Sequence, residues 1–166
     1  DIPSFTPTLY VPGGSPEETA LRLALAKARA VAAVEREIDL VLGADTLVAA
    51  GGGILGKPRD RRDAERMLRL LSGDRHRVLT GVALVSPRSG GEIAEVVTTL
   101  VTMRPLSDRE VRSYVASGEA DGKAGAYAIQ ETADRFVTGL EGSFRNVVGL
   151  PVERLGELLR DWRRIT

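Results

Sequence analysis

The stretch Leu42-Gly43-Ala44-Asp45-Thr46-Leu47-Val48, followed by Ile54-Leu55-Gly56-Lys57-Pro58, is the most informative part of this chain. It predicts an apolar strand with an Asp and a Thr at its end, then a glycine hairpin and a Lys held between Gly and Pro. A carboxylate such as Asp45 can hold a cation or polarise a water, and an ammonium group such as Lys57 can neutralise phosphate oxygens. The pair therefore suggests metal-assisted phosphate chemistry, although the two residues alone do not establish it.

The composition of the 166-residue chain limits the sites it can hold. A hydrophobic fraction of 43% suits a domain with its own core, and no apolar run approaches the roughly 20 residues of a membrane helix. There is no cysteine and one histidine, so any metal must be a hard, oxygen-bound ion such as Mg²⁺ or Mn²⁺. The lack of cysteine allows a reducing compartment, and we expect the cytoplasm. A net charge of zero and 4% aromatic residues argue against a nucleic-acid polymer as partner.

Helix-start signals occur at three places along the chain. Ser15-Pro16-Glu17-Glu18 and Ser107-Asp108-Arg109-Glu110 are capping boxes, and Asp60 is a further N-cap. The helices that follow are predicted to end near Glu37, Gly118 and Gly73, respectively. A C-terminal helix follows Pro151, and its predicted apolar side comprises Val152, Leu155, Leu158, Leu159 and Trp162.

Apolar and β-branched runs predict the strands. They lie at residues 39–50, 78–85, 93–103, 124–129 and 135–140, with a short return strand at 54–55 and a tight turn or short helix at 143–148. Helices alternate with strands, while the segments on either side of the turn at residues 87–91 must form an antiparallel hairpin. The predicted class is therefore α/β, with a mixed sheet flanked by helices.

Several blocks of sequence resemble one family when they are taken in order. They are Arg22-Leu23-Ala24-Leu25-Ala26-Lys27-Ala28, Gly43-Ala44-Asp45-Thr46 with Leu55-Gly56-Lys57-Pro58, Met67-Leu68 through Leu71-Ser72-Gly73, His76-Arg77-Val78 with Thr80-Gly81-Val82, Gly122-Lys123-Ala124-Gly125-Ala126-Tyr127-Ala128-Ile129-Gln130, and Glu141-Gly142-Ser143-Phe144-Arg145-Asn146-Val147-Val148-Gly149-Leu150-Pro151. On these blocks the chain resembles the Maf family of house-cleaning nucleoside triphosphate pyrophosphatases, once described as septum-formation inhibitors. The match extends over nearly the whole chain from Glu17 onward.

The resemblance implies a two-lobed fold like that of the inosine triphosphate pyrophosphatases, with the nucleotide in a central cleft. It implies hydrolysis of a nucleoside triphosphate to the monophosphate and pyrophosphate, with a divalent metal and a possible homodimer. Thr46, Gln130 and the Val147–Pro151 ending resemble the branch that prefers dTTP and UTP. We therefore expect a cytoplasmic enzyme that removes these or modified pyrimidine nucleotides from the nucleotide pool, and no membrane partner.

Each candidate site residue has a structural alternative that needs no function. Asp45 could simply form a turn, but the family motif favours catalysis and metal binding. Lys57 could be a solvated Lys and Lys27 a residue that snorkels to the surface, whereas the resemblance assigns both to the phosphates. Gln130 could bond to the backbone at the end of a strand, or read the base with its amide. Thr46 is a β-branched strand residue for which substrate contact is a weaker hypothesis.

Other residues in the matching blocks carry lower expectations. Lys123 and Glu141 rank below the five residues above, His76 is expected to be a structural hydrogen-bonding group, and Asn146 is expected to satisfy the backbone of the turn before Gly149. Family members usually begin with a strand and a Ser-Pro-Arg-Arg segment whose arginines bind the triphosphate. We expect one domain over residues 1–166 in which that strand and that segment are missing. The family's Asp-Glu pair reads Asp1-Ile2-Pro3-Ser4 here, without the Glu.

Two other functions remain open from the sequence. One is the same reaction on another base, such as 7-methyl-GTP. The second is a nucleotide-binding regulatory protein that keeps the cleft without turnover. Pyrophosphate release separates an enzyme from a binding protein, since a binding protein only gains thermal stability with its ligand.

Overall fold

A five-stranded sheet forms the centre of the computed structural model, which describes residues 14–130 and 132–165. Its strands are β1 (Val41–Ala50), β2 (Gly53–Leu55), β3 (Arg75–Val85), β4 (Glu92–Met103) and β5 (Val137–Glu141). The strand order is β2-β1-β3-β4-β5, and every pairing is antiparallel. The α/β class with flanking helices is confirmed. The mixed sheet is corrected to an antiparallel one within the described residues.

The strands of the sheet match the predicted runs in two places and differ in two others. The long hairpin of β3 and β4 and the glycine turn between β1 and β2 are as predicted. Residues 124–129 are not a strand: Ala124–Ala126 is a single 3-10 turn, and Gln130 lies in a following turn. The strand predicted at 135–140 begins later, because Thr132–Phe136 is also a 3-10 turn.

Five helices surround the sheet in the described part of the chain. They are α1 (Pro16–Val34), α2 (Arg61–Leu71), α3 (Asp108–Ala116), α4 (Phe144–Val148) and α5 (Val152–Ile165). The capping boxes at Ser15 and Ser107 and the cap at Asp60 are all formed. Helix α1 ends three residues before the predicted Glu37. No described helix combines the length and the apolar content that crossing a membrane requires.

Helix α1 lies unusually close to one face of the sheet. Its Ala20, Ala24 and Ala28 are fully buried against β1 and β3. A Cβ placed on Gly43 would lie 2.3 Å from the Ala24 carbonyl oxygen, and one on Gly81 would lie 2.2 Å from that of Ala20. Only glycine fits at these two strand positions, so the helix backbone can approach the sheet and hold its polar residues over β1.

The opposite face of the sheet carries two packed groups. Helix α5 covers one end with Leu158 and Trp162, which pack on Val82 and Leu84 of β3. The other end is covered by α2, α3 and the two 3-10 turns, which bury the largest apolar cluster in the chain. Two residues of the predicted inner side of α5 instead remain exposed, Val152 at 46% and Leu159 at 38%. The sheet therefore has α1 on one face, and α5 and the α2–α3 layer on the other.

Candidate functional site

A cavity of about 590 Å³ opens beside β1, between α1 and residues 122–130. Its lining comes from α1, from the middle of β1, from the segment after β2, from residues 122–130 and from the end of α4. All five predicted site residues line this one cavity: Lys27, Asp45, Thr46, Lys57 and Gln130. Its size falls within the range of small-molecule sites.

The cavity reaches β1 where that strand has an open edge. Strand β2 pairs only with residues 48–50 of β1, so within the described residues the outer edge of the strand before Val48 has no strand partner. On its inner side β1 remains paired with β3, with Asp45 opposite Gly81. Asp45 therefore lies in the middle of β1, not at the end of a strand as predicted. It borders the cavity because the neighbouring strand is short.

The Asp45 carboxylate forms an ion pair with Lys27 of α1. The Lys27 ammonium also donates to the Ala44 carbonyl oxygen at 3.3 Å. The side chains are 17% exposed for Asp45 and 38% exposed for Lys27, so both remain within reach of a ligand in the cavity. The close packing of α1 at Gly43 and Gly81 is what brings this Lys over the strand.

Thr46 points to the opposite face of β1 and belongs to a hydroxyl chain. Its Oγ1 lies 2.8 Å from Oγ1 of Thr80, which donates to the Asn146 carbonyl oxygen at 3.0 Å. Because the Thr80 proton is used in that bond, the Thr46 hydroxyl is the donor to Thr80. The Thr46 oxygen then keeps acceptor capacity for a donor in the cavity.

Asn146 anchors α4 to the sheet and differs from its prediction. Its Nδ2 donates to the Val78 carbonyl oxygen at 3.1 Å and to Thr99 Oγ1 at 3.0 Å. The side chain therefore bonds to strands β3 and β4, not to the turn before Gly149. The turn is closed instead by the Gly149 amide, which donates to the Asn146 carbonyl oxygen at 3.0 Å.

The basic residues that line the cavity are of a different type from those in the rest of the chain. The sequence has 23 basic residues, of which three are lysines and 20 are arginines. All three lysines, Lys27, Lys57 and Lys123, line the cavity, and no arginine of the described part does. Asp45 is the single carboxylate among the described lining residues. The cavity therefore presents more positive than negative charge and suits a polyanionic ligand.

Two of these lysines are held at the same rim. The Gly125 amide donates to the Gly56 carbonyl oxygen at 3.1 Å, which ties the segment of Lys123 to that of Lys57. Both lysine side chains are exposed, and neither forms an ion pair with any other described residue. Their charges are thus not already neutralised by a protein carboxylate.

His76 lies behind the cavity and supports its far wall. Its Nε2 is 2.7 Å from the hydroxyl of Tyr127, a cavity-lining residue, and the two rings pack edge to face. Burial lowers the pKa of His76 to about 4, so the ring is neutral near pH 7. The predicted structural role of His76 agrees with this geometry. Glu141, by contrast, does not line the cavity and pairs with Arg75.

Sequence reasoning missed some residues of the cavity wall. Thr19 and Leu23 line it, and they precede Lys27 by eight and four residues on one face of α1. Their successive spacing of four residues, from Thr19 to Leu23 and from Leu23 to Lys27, is a signal in the sequence that identifies them as neighbours on the helix. Lys123 was ranked low, although its identity as one of three lysines in an arginine-rich chain was a usable signal.

A divalent metal would find one protein carboxylate here. No group of three or more metal-binding side chains occurs in the part of the chain that the structure describes. Mg²⁺ in nucleotide enzymes often takes only one or two carboxylates and completes its shell with water and substrate phosphates. The Asp45 oxygens fit that pattern, provided that Lys27 yields one of them.

Comparisons with known proteins agree on one family. The family model described as "Maf-like protein" matches residues 3–162. A protein of Koribacter versatilis named dTTP/UTP pyrophosphatase is 48% identical over 95% of this chain and 80% of its own length. Proteins with the same name from Syntrophotalea carbinolica and Anaeromyxobacter dehalogenans are 46% and 49% identical, over 95% of this chain and 72% and 80% of their own lengths.

Proposed function

This chain belongs to the Maf-like protein family, and from that premise we propose that it is a nucleoside triphosphate pyrophosphatase acting on dTTP and UTP. The observation that carries the proposal is the cavity, which is lined by three lysines and one strand carboxylate. A triphosphate brings several negative charges, which these ammonium groups can neutralise. The names of the relatives point to the same substrates.

Asp45 is the residue that we assign to the chemical step. Hydrolysis between the α- and β-phosphates needs a water that attacks phosphorus and gives up a proton. The Asp45 carboxylate is the only acidic side chain among the described lining residues, and we assign to it the role of accepting that proton. Lys27 holds this carboxylate in place and is close enough to move to a phosphate oxygen when the substrate arrives. Lys57, which lines the same cavity and has no ion-pair partner among the described residues, neutralises the phosphates.

A divalent ion, Mg²⁺ or Mn²⁺, would be held by Asp45 together with substrate phosphates, and when bound it would polarise the phosphoryl oxygens. This part of the proposal is supported by the donor set and the family. The residues keep their own tasks: Lys27 and Lys57 bind phosphates, and Asp45 takes the proton.

Base recognition is assigned to Gln130 and Thr46. The side chain of Gln130 is exposed at the cavity, where its amide can offer a donor and an acceptor to the O4 and N3–H edge of uracil or thymine. The Thr46 oxygen, with its proton committed to Thr80, can accept a hydrogen bond. Both residues would favour a pyrimidine that carries an N3–H donor.

Three further features complete the proposal. We propose one domain over residues 1–166, action in the cytoplasm where nucleotide pools are large, and a homodimer. The family resemblance supports the dimer, and exposed Phe144, Val148 and Val152 around α4 offer apolar surface for one. Light scattering with size-exclusion chromatography tests the dimer directly. The Ser-Pro-Arg-Arg expectation lies outside the described residues.

The reaction is tested by pyrophosphate release with Mg²⁺ across dTTP, UTP, CTP, dATP and 7-methyl-GTP. Hydrolysis in ¹⁸O-labelled water shows which phosphorus atom the water attacks, since attack on the α-phosphorus places the label in the monophosphate. Release from dTTP and UTP, with label in the monophosphate, supports the proposal. Label in the pyrophosphate would place the attack on the β-phosphorus in the same reaction, whereas release of inorganic phosphate alone contradicts the proposal.

A binding protein without turnover is the second candidate function. The observation that favours it is the Lys27 ion pair, because it occupies the only described carboxylate of the cavity. Nucleotide-induced thermal stabilisation without pyrophosphate release from any substrate would favour this candidate over the enzyme.

A further inference from the structure

We propose that Lys123 is a third phosphate-binding side chain of this cavity and that its position requires lysine and does not accept arginine. The proposal rests on the proposed nucleotide function and extends it to a residue outside the five predicted from the sequence. Three observations support it: the distribution of lysines in the chain, the rim that Lys123 shares with Lys57, and the rigid segment that carries it.

The distribution of lysine argues that these positions are special. This chain uses arginine at 20 of its 23 basic positions. Among the described residues, every basic side chain in an ion pair other than Lys27 is an arginine. Lysine occurs only where the cavity is lined. Arginine presents a broad planar fork, whereas lysine presents a compact ammonium on a flexible stem that acts as a point charge on phosphate. A cavity that must take several phosphates beside three cationic side chains would favour the smaller group.

Lys123 lines the same cavity as Asp45, on a segment that is bonded to the segment of Lys57. One backbone hydrogen bond, from the Gly125 amide to the Gly56 carbonyl oxygen, joins the chain two residues after Lys123 to the residue before Lys57. The two ammonium groups therefore share one rim, and neither has a carboxylate partner in the described residues. A polyphosphate held from the Asp45 side by Lys27 would extend toward them.

The segment that carries Lys123 is held in a strained shape. Ala126 is fully buried at a φ of 61°, a left-handed conformation that is uncommon for a residue with a side chain. Before it, Gly125 has a φ of 69°, and a Cβ there would lie 2.9 Å from a methyl carbon of Val48 on β1. Such strain persists only when the surroundings enforce it, and it is concentrated at functional sites.

Side chains behind the segment supply that enforcement. Tyr127 is fixed by its 2.7 Å contact with buried His76, and the Ala128 amide donates to the Tyr114 hydroxyl at 3.3 Å. These bonds anchor the backbone directly after its left-handed residues, and the bond from the Gly125 amide to the Gly56 carbonyl oxygen holds it at those residues. The backbone from which the Lys123 side chain extends is therefore pre-organised, so less conformational freedom is lost when it meets a phosphate.

The test compares Lys123→Met and Lys123→Arg with wild type and with Arg109→Met. Arg109 is an exposed residue of α3 outside the cavity, so its variant loses the same charge elsewhere. Binding is measured by calorimetry with the α,β-imido analogue of UTP, which is not cleaved, and with uridine. Because exposed Lys123 forms no ion pair with a described residue, its variants are expected to melt within a few degrees of wild type.

We expect Lys123→Met to weaken binding of the analogue about tenfold, as for loss of a charge-assisted hydrogen bond at a solvent-exposed site. Binding of uridine should stay unchanged. The affinity of Lys123→Arg for the analogue should lie within about threefold of that of Lys123→Met, and the affinity of Arg109→Met should equal that of wild type. In turnover, KM should rise with little change in kcat.

Three results would overturn the inference. They are unchanged binding of the analogue by Lys123→Met, equal weakening of the analogue and uridine, and full recovery in Lys123→Arg. The failure of the proposed function is a separate outcome. If the wild-type chain binds the analogue but releases no pyrophosphate from UTP, the assignment as an enzyme is wrong. The binding data still decide the role of Lys123 in that case.

Discussion

Asp45→Asn is the substitution that tests the site most directly. It keeps the shape of the side chain but removes the only described carboxylate of the cavity, and with it the group assigned to take a proton from water. Removal of such a group typically lowers turnover by about 100-fold to 10,000-fold. Its cost in stability should be small, because the Lys27 partner is 38% exposed and pairs of that kind contribute about 0–1 kcal/mol. For a chain of this size the melting temperature should fall by no more than roughly 3 °C.

Asp39→Asn is the matched control, since Asp39 is 87% exposed and pairs with Arg88 away from the cavity. Pyrophosphate release from dTTP and UTP is measured for both variants, together with nucleotide-induced thermal stabilisation. Asp45→Asn should lose turnover and keep nucleotide binding, whereas the control should behave as wild type. A folded Asp45→Asn variant with turnover within about threefold of wild type would refute the assignment of the catalytic group.

Three more substitutions test the packing, the buried histidine and base recognition. Gly81→Ala should destabilise the chain by about 1–3 kcal/mol in urea unfolding, since its Cβ would lie 2.2 Å from the Ala20 carbonyl oxygen, whereas Gly53→Ala, with no atom within 4 Å, should change little; equal effects would contradict the close helix approach. His76 has a pKa lowered from 6.5 to about 4, so below pH 6.5 the unfolded chain binds a proton that the folded one does not, and the free energy of unfolding should fall by about 3 kcal/mol down to pH 4. His76→Phe should lack this part of the pH dependence, and parallel curves for the two proteins would refute the burial argument. Gln130→Glu should shift kcat/KM from UTP toward CTP, because a carboxylate accepts from the cytosine amino group but cannot donate to O4; an unchanged UTP to CTP ratio would remove Gln130 from base recognition.

The helices and the site membership could be predicted because their signals are local. A Ser three residues before a Glu fixes a helix start by hydrogen bonds within one turn, and both such boxes are present in the structure at Ser15 and Ser107. The buried positions of α2 likewise follow from spacing, and Ala64, Met67, Leu68 and Leu71 all face the core. Family motifs supplied the five candidate residues, and the structure places them at one cavity.

The errors arose where distant contacts override local preference. Residues 124–129 have strand-like composition, but buried Tyr127 and the backbone bond to Gly56 hold them in a strained 3-10 turn. Val152 has the spacing of a core residue in α5, yet it is 46% exposed at the first position of that helix. Strand direction was also beyond the sequence, because antiparallel order depends on which strands become neighbours and not on their composition.

Asp45 and Thr46 are neighbours on β1, and both can reach one ligand only because the edge of that strand is open. Consecutive residues of a strand point to opposite faces of a sheet, so a chemical group and a recognition group next to each other would ordinarily serve two separate surfaces. Here Asp45 faces α1 and Thr46 faces α4, yet both line one cavity because β2 covers only the last three residues of β1. A ligand can wrap around the open edge and meet both side chains at once. A β2 extended by a few residues would close that edge and separate the catalytic from the recognition residue, so the short β2 is a requirement of the proposed site.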